Sequence, residues 1–269
     1  MKQKHLFFLL IALCLADNSI QANERKFAFT HETSTLQPGL REIEVWNTYS
    51  RDKNFFYRQL DQQIEFEFGV SNNLMSAFYL NYRNILQDNN GNAAGGVAER
   101  TSIVSFSNEW KYKLMDRVAD PFGFALYGEA TLGLDEFELE GKLLFDKQID
   151  NSLFAFNIIG ENEWETELLL GTPNAKSEFK NEIDFAYAYS LNNNFSAGIE
   201  IQNSNIIEDG SLKHSVLFAG PVFSYTAEQW WVTGTIFPQI TSFVEKTQGH
   251  LDLDDYEKLQ ARLLFSFKL

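Results

Sequence analysis

Carboxylates recur at alternate positions in this 269-residue chain. Asp61, Glu65 and Glu67 share one parity, and Glu42 and Glu44 share another shortly before them. On an extended backbone successive side chains point to opposite faces, so each set projects from a single face. Like charges this close repel unless water or counter-ions surround them, so the chemistry on offer is attraction of cations. Other candidates are few. His214-Ser215, with Asp209 nearby, holds the residue types of an acyl hydrolase. Neighbours on a strand point apart, however, and a nucleophile must meet its base at hydrogen-bond distance. The run from His250 through Asp252, Asp254 and Asp255 offers oxygen ligands for calcium but lacks the Gly turn and distal Glu of an EF-hand, and reads as a solvated acidic loop. Gly91, Gly95 and Gly96 are followed by no Lys and read as a surface loop, with no phosphate cradle. No catalytic, cofactor-binding or metal residue is therefore assigned. The chain reads as non-enzymatic and without cofactor, with a Ser/His lipid hydrolase kept as an alternative.

The charge balance narrows the partners. Lys plus Arg number 22 against 37 Asp plus Glu, a net charge of −15, which argues against nucleic acid. The single Cys, Cys14, excludes a disulfide scaffold. Residues 1–22 have the layout of a secretory signal peptide: Lys2 and Lys4, the apolar run Leu6–Leu15, then a polar stretch to Ala22. The bulky Leu13 before Cys14 argues against lipidation. No segment has the roughly 18 consecutive apolar residues of a membrane helix, so a membrane role would rest on strands.

Period-two alternation places those carboxylates on strands. Leu60–Val70, Leu74–Arg83, Val104–Leu114, Phe179–Leu191 and Leu259–Leu269 alternate clearly. Leu40–Tyr49, Phe122–Leu134, Glu138–Lys147, Ser152–Trp164, Phe195–Gln202, Ser215–Tyr225 and Trp230–Ile240 alternate more weakly. Short links (Ser71–Asn73, Met115–Pro121, Gln148–Asn151, Asn192–Asn194, Thr226–Gln229) take turns with longer ones (Ser50–Phe55, Gln87–Glu99, Glu165–Glu178, Asn203–His214, Thr241–Glu257). Asp135–Phe137 alone breaks the rule. Short turns on one rim and long loops on the other are the habit of outer-membrane barrels. Soluble sandwiches alternate too, but their strands average about 5–6 residues, too short to cross a bilayer. Tyr49, Tyr82, Tyr112, Tyr225, Trp230 and Trp231 fall near segment ends, where aromatic girdles sit. The expected fold is all-β: a transmembrane antiparallel up-and-down barrel of about 12 strands, within a range of about 10–14. An even strand count puts both termini on the short-turn, periplasmic side. Residues 40–269 form the barrel, and residues 23–39 are an N-terminal extension, an extra strand or an insert into the lumen.

The pieces ETSTLQPGLREIEVW (Glu32–Trp46), QIEFEFGVSNNLMSAFYLNY (Gln63–Tyr82), LFAGPVFSY (Leu217–Tyr225) and WWVTGTIFPQI (Trp230–Ile240) resemble a family of uncharacterised outer-membrane β-barrel proteins of Gram-negative bacteria, porin- and transporter-like in kind. The resemblance implies a barrel in the outer membrane and brings no catalytic motif. The closing FSFKL resembles the terminal strand read by the barrel-assembly machinery, an expected partner beside outer-membrane lipid.

With apolar faces toward lipid, the alternate residues face the lumen. The candidates are Glu42, Glu44, Asp61, Glu65, Glu67, Arg83, Glu109, Lys111, Glu129, Glu140, Lys142, Glu182, Asp184, Glu200 and Arg262, joined by Glu138, Lys180 and Lys258. Acids outnumber bases about two to one. Twelve strands lie between about 8, where side chains fill a barrel, and about 16, where a channel opens. A narrow pore and a charge-paired plug both stay open, and an open pore with this acidic surplus favours cations. The expected function is a narrow, cation-preferring channel or transport-type barrel for small solutes or cations. A closed structural or surface-recognition barrel is the alternative.

Overall fold

Apolar residues at every second position can satisfy both lipid and backbone only if each strand pairs on both sides, and the chain does this by closing on itself. The computed structural model describes residues 24–88, 98–169, 172–208 and 210–269. Residues 1–22, expected as a signal peptide, residues 91–96, expected as a surface loop, and Asp209 lie outside the described residues. Twelve strands run β1 (Arg41–Arg51), β2 (Tyr57–Ser71), β3 (Leu74–Asp88), β4 (Ala98–Met115), β5 (Gly123–Leu132), β6 (Glu136–Ile149), β7 (Ser152–Leu169), β8 (Thr172–Ser190), β9 (Phe195–Glu208), β10 (Ser211–Thr226), β11 (Trp230–Ser242) and β12 (Leu259–Lys268). Each pairs antiparallel with its neighbours in sequence, and β1 closes the barrel on β12.

The outer face is apolar where the alternation is clearest. Ile64, Phe66, Phe78, Leu80, Val104 and Phe106 are exposed, while Glu65, Glu67, Tyr79 and Glu109 between them are buried. Tyr49, Tyr112 and Tyr225 face outward at strand ends, and Trp230 stacks on Phe265. Trp231 does not join this girdle: strand parity turns it inward, where it is fully buried.

Two expected loops are strands. The stretches Glu165–Glu178 and Asn203–His214 lie largely within β7, β8, β9 and β10, whose hairpins project past the apolar belt. Polar outward side chains disguised them, because above the lipid belt they bond to each other and to neighbouring strands. Asn203 Nδ2 donates to Val216 O at 2.9 Å, Asn205 Nδ2 to Asn181 O at 3.2 Å, and Asn162 Nδ2 to Ser177 Oγ at 3.0 Å. The two rims therefore differ in strand overhang as much as in loop length.

The segment before β1 lies inside the barrel. Phe27, Ala28, Thr30, Thr33 and Leu36 are all but fully buried. The segment turns into β1 at Gly39, whose φ of +87° suits glycine. Beside this turn Gly69 lets the backbone of Gln37 approach so closely that an added Cβ would lie 2.1 Å from the Gln37 carbonyl oxygen.

Candidate functional site

The inward side chains divide the lumen into two walls. From β7 to β12 the wall carries an apolar cluster: Leu153, Ala155, Ala186, Ala188, Val216, Val222 and Trp231 pack with Phe27, Ala28 and Phe29 of the inserted segment. Phe29 stacks on Phe237 at 4.7 Å. Arg262 lies over Phe29 at 3.9 Å and Arg25 over Trp46 at 4.5 Å.

The opposite wall is acidic, and strand register orders it. Glu42 is paired with Glu67, Glu67 with Ala77, Ala77 with Glu109, Glu109 with Glu129, Glu129 with Glu140, and Glu140 with Glu161. Glu161 then meets Lys180. Strand tilt and stagger turn such a row into a path that climbs the barrel. It begins beside the first residue of β1 on the short-turn rim and reaches the upper half of β7. A second row links Glu44 to Glu65 and Tyr79, and further up Glu138 to Glu163 and Glu178.

Toward the long-loop rim the path opens into a cavity of about 570 Å³. Its lining includes Asp61, Glu129, Glu138, Glu140, Glu161, Glu163 and Glu182, with Phe29 and His31 at its floor. The bases here are engaged. Lys180 Nζ is 3.2 Å from Glu161, 2.9 Å from Glu163 and 3.7 Å from Glu178. Lys142 Nζ is 2.9 Å from Glu140, and Arg83 Nε is 2.8 Å from Asp61. At the mouth, burial pushes the Glu257 carboxyl above the usual carboxylate range and the Lys53 amine below its own.

Below the cavity the inserted segment packs inside the lumen, held by polar side chains of the wall. The Glu200 carboxylate accepts the backbone N–H groups of Ala28, Phe29 and Thr30 at 3.1, 2.8 and 2.9 Å. Asn157 accepts from His31 N at 2.7 Å and donates to His31 O at 3.0 Å. Asp146 accepts from Thr33 N at 3.0 Å and Thr33 Oγ1 at 2.6 Å. Thr233 donates to Arg25 O at 2.6 Å, and Arg117 pairs with Glu32. Segment backbone polar groups thus find side-chain partners where water is excluded, as buried backbone must.

Residues 19–269 match a family of unknown function, DUF6662. The chain belongs to this family. No functionally curated protein matches the sequence. Among solved structures the barrel is similar to the NanC porin, at 11% identity and a TM-score of 0.55 over 84% of this chain and 100% of that one. It is similar to an outer membrane channel from Pseudomonas putida F1, at 9% identity and 0.59 over 88% and 98%. It is also similar to the KdgM porin in complex with disordered oligogalacturonate, at 7% identity and 0.52 over 85% and 99%. These likenesses define this DUF6662 member as an outer-membrane-type β-barrel fold.

All but one of the candidates expected to face inward are buried in the wall or line the cavity. Glu42, Glu44, Glu65, Glu67, Glu109 and Lys111 are gathered near the floor. Asp61, Arg83, Glu129, Glu138, Glu140, Lys142, Lys180, Glu182, Asp184 and Arg262 line the cavity. Glu200 anchors the segment. Lys258 is the exception, exposed on the long-loop rim before β12 begins. Sequence reasoning missed Glu161, Glu163 and Glu178 on the cavity wall. The last stood in a stretch read as a loop, and only pairing with β6 and β8 aligns the others with known acids. It also missed the segment's anchors Asn157 and Asp146, whose types alone carry no signal. His214 and Ser215 do not pair: His214 Nδ1 is 2.7 Å from Asp252 and Nε2 3.0 Å from Asp255, while Ser215 Oγ donates to Asn205 Oδ1 at 2.6 Å. The expected solvated acidic loop is therefore partly tied down, with Asp252 fully buried.

Proposed function

We propose that this protein is a cation-preferring, transport-type barrel of the Gram-negative outer membrane, exported by residues 1–22, with both termini periplasmic and the Glu24–Gln37 segment closing its periplasmic half. The observation that carries the reading is the carboxylate row from Glu42 to Glu161. A dry structural plug pairs charges of opposite sign, because an uncompensated buried charge is costly. An acidic path that widens into a polar cavity instead concentrates cations and repels anions. The likeness to porins and a channel supports transport as the role of the fold. Closure by the segment makes the resting state non-conducting or nearly so, which also keeps the closed structural barrel as the competing reading.

The test is the reversal potential across a salt gradient for refolded protein in planar bilayers. It is made with the wild type and with a variant freed of the segment by Glu200→Ala. The freed barrel is expected to prefer cations, and a further Glu129→Gln, Glu140→Gln, Glu161→Gln change to remove most of that preference. An anion preference in the freed barrel refutes the reading. No conductance in either protein favours the closed barrel.

A further inference from the structure

At the floor of the lumen the acidic row is denser than its surroundings can neutralise. Glu42 is directly opposite Glu67, and Glu44 directly opposite Glu65, so four carboxylates form a square on two adjacent strands. All four are at most 3% exposed. Directly opposed like charges destabilise a sheet, and burial magnifies the effect. Glu109, 2% exposed, adds a fifth carboxylate. Among the described residues the bases facing this group are Arg25, Lys111 and Lys268, three against five carboxyl groups, a formal excess of two acidic groups.

Hydrogen bonding does not satisfy the square. Ser266 Oγ donates to Glu42 Oε2 at 3.0 Å, and Trp46 Nε1 donates to Glu44 Oε2 at 3.0 Å. Among the described residues, Glu44 Oε1, Glu67 Oε2 and both oxygens of Glu65 are buried and receive no donor from outside the cluster. Glu65 is fully buried and stands across the ladder from Glu44, on the same inward face as Glu67, so its unpartnered carboxylate points into the cluster. Carboxylate oxygens of Glu42, Glu44 and Glu67 all lie within 4.8 Å of one another. Oxygens that share one calcium ion, each at about 2.4 Å, are separated by no more than about 4.8 Å.

We infer that Glu42, Glu44, Glu65 and Glu67 form a site for one hard divalent cation of the calcium class. The donors are all carboxylate oxygens, which suits such a cation and not a soft or imidazole-seeking metal. Two positive charges match the local excess. A bound ion would also tie β1 to β2 beside the turn where the inserted segment enters the barrel. The site does not depend on conduction, so its test is separate from that of the channel.

Trp46, whose indole contacts Glu44, provides the readout. Full-length mature protein refolded in detergent is titrated with Tb³⁺, and Trp-sensitised emission is followed. Emission saturating at one ion per chain and displaced by Ca²⁺ is expected. Ca²⁺ should also raise the temperature of the folded-to-unfolded gel shift by about 5 °C or more when well above its dissociation constant. The Glu65→Gln, Glu67→Gln variant should bind at least tenfold more weakly, and Glu228→Gln, in the exposed turn between β10 and β11, should bind as wild type does. Should the double variant fail to refold, the single Glu65→Gln variant carries the same comparison. Trp46→Phe should lose most of the emission and keep the Ca²⁺ stabilisation. Emission and stabilisation that survive in the Glu65 variants overturn the inference. So does a wild type with neither, which would leave shared protons as the compensation for these carboxylates.

Discussion

Replacing Glu200 with Ala should release the segment packed in the lumen while leaving the barrel folded. The Glu200 side chain is the acceptor for three consecutive backbone N–H groups, all between 2.8 and 3.1 Å away. Ala28 and Thr30 are essentially inaccessible to water, so the variant would orphan their N–H groups wherever the segment stayed docked. Each orphaned buried donor costs about 1–3 kcal/mol, so three cost at least about 3 kcal/mol. That lower bound is a factor of about 100 in the docked-to-undocked equilibrium. Undocking restores water to the donors and leaves the ladder hydrogen bonds of β9 untouched, so the penalty falls on the segment and not on the wall. The assay is limited trypsin cleavage after Arg25 and Lys26 in refolded protein, with the heat-dependent gel shift as a check on the barrel. Arg25 is 7% exposed in the closed state and should be protected. Cleavage in the variant should be at least about 100-fold faster if opening precedes cut and closing is rapid. Glu200→Gln, which keeps an oxygen acceptor without the charge, should fall between the two. Equal cleavage rates in variant and wild type, with the gel shift intact, would refute the anchoring role.

Other expectations follow from the same structure. Phe66→Arg places a charge on the lipid face and should destabilise the barrel by about 2–4 kcal/mol in denaturant titration if Phe66 sits near the midplane. In calcium-free buffer, Glu65→Gln points inward and should cost less than about 1 kcal/mol. Gly69→Ala puts a methyl group against the carbonyls of Gln37 and Leu36, at 2.1 and 2.7 Å, and should expose the segment to trypsin with the barrel still folded. In the turn between β4 and β5, the Val118 N–H, 2.9 Å from Asp116 Oδ1, holds the Asp116 carboxyl below its usual range, with a further bond from Ala119 N–H. A depressed folded pKa gives stability that is present above the unfolded value near about 4 and lost as pH falls through the folded one. The gap in gel-shift temperature between wild type and Asp116→Asn should therefore be full at neutral pH and close below about pH 4.

Much of the wall was legible in the sequence, because a strand of a membrane barrel is bounded by lipid on one side. Ile64, Phe66 and Phe78 had to face out, and period two then committed Glu65, Glu67 and Tyr79 to the lumen without knowledge of any partner. The same logic failed where lipid no longer constrained the outer face. Above the apolar belt Ser177, Asn203 and Asn205 look like loop residues, and only cross-strand bonding shows them to be strand. It failed also at Trp231, whose aromatic type suggested the girdle while its parity placed it inside.

What the chain alone determined is the identity of each face, since alternation is a local property of the backbone. Which inward residues become neighbours is not local: it depends on the stagger of twelve strands, each of which can slide against the next. Register alone makes one row of Glu42, Glu67, Glu109, Glu129, Glu140 and Glu161, scattered over more than a hundred residues of sequence. Closure alone decides the fate of the segment before β1. Its Phe27 and Phe29 have no strand partners, and the surface that buries them exists only once Ala155, Ala186, Ala188 and Phe237 have been brought together across the lumen.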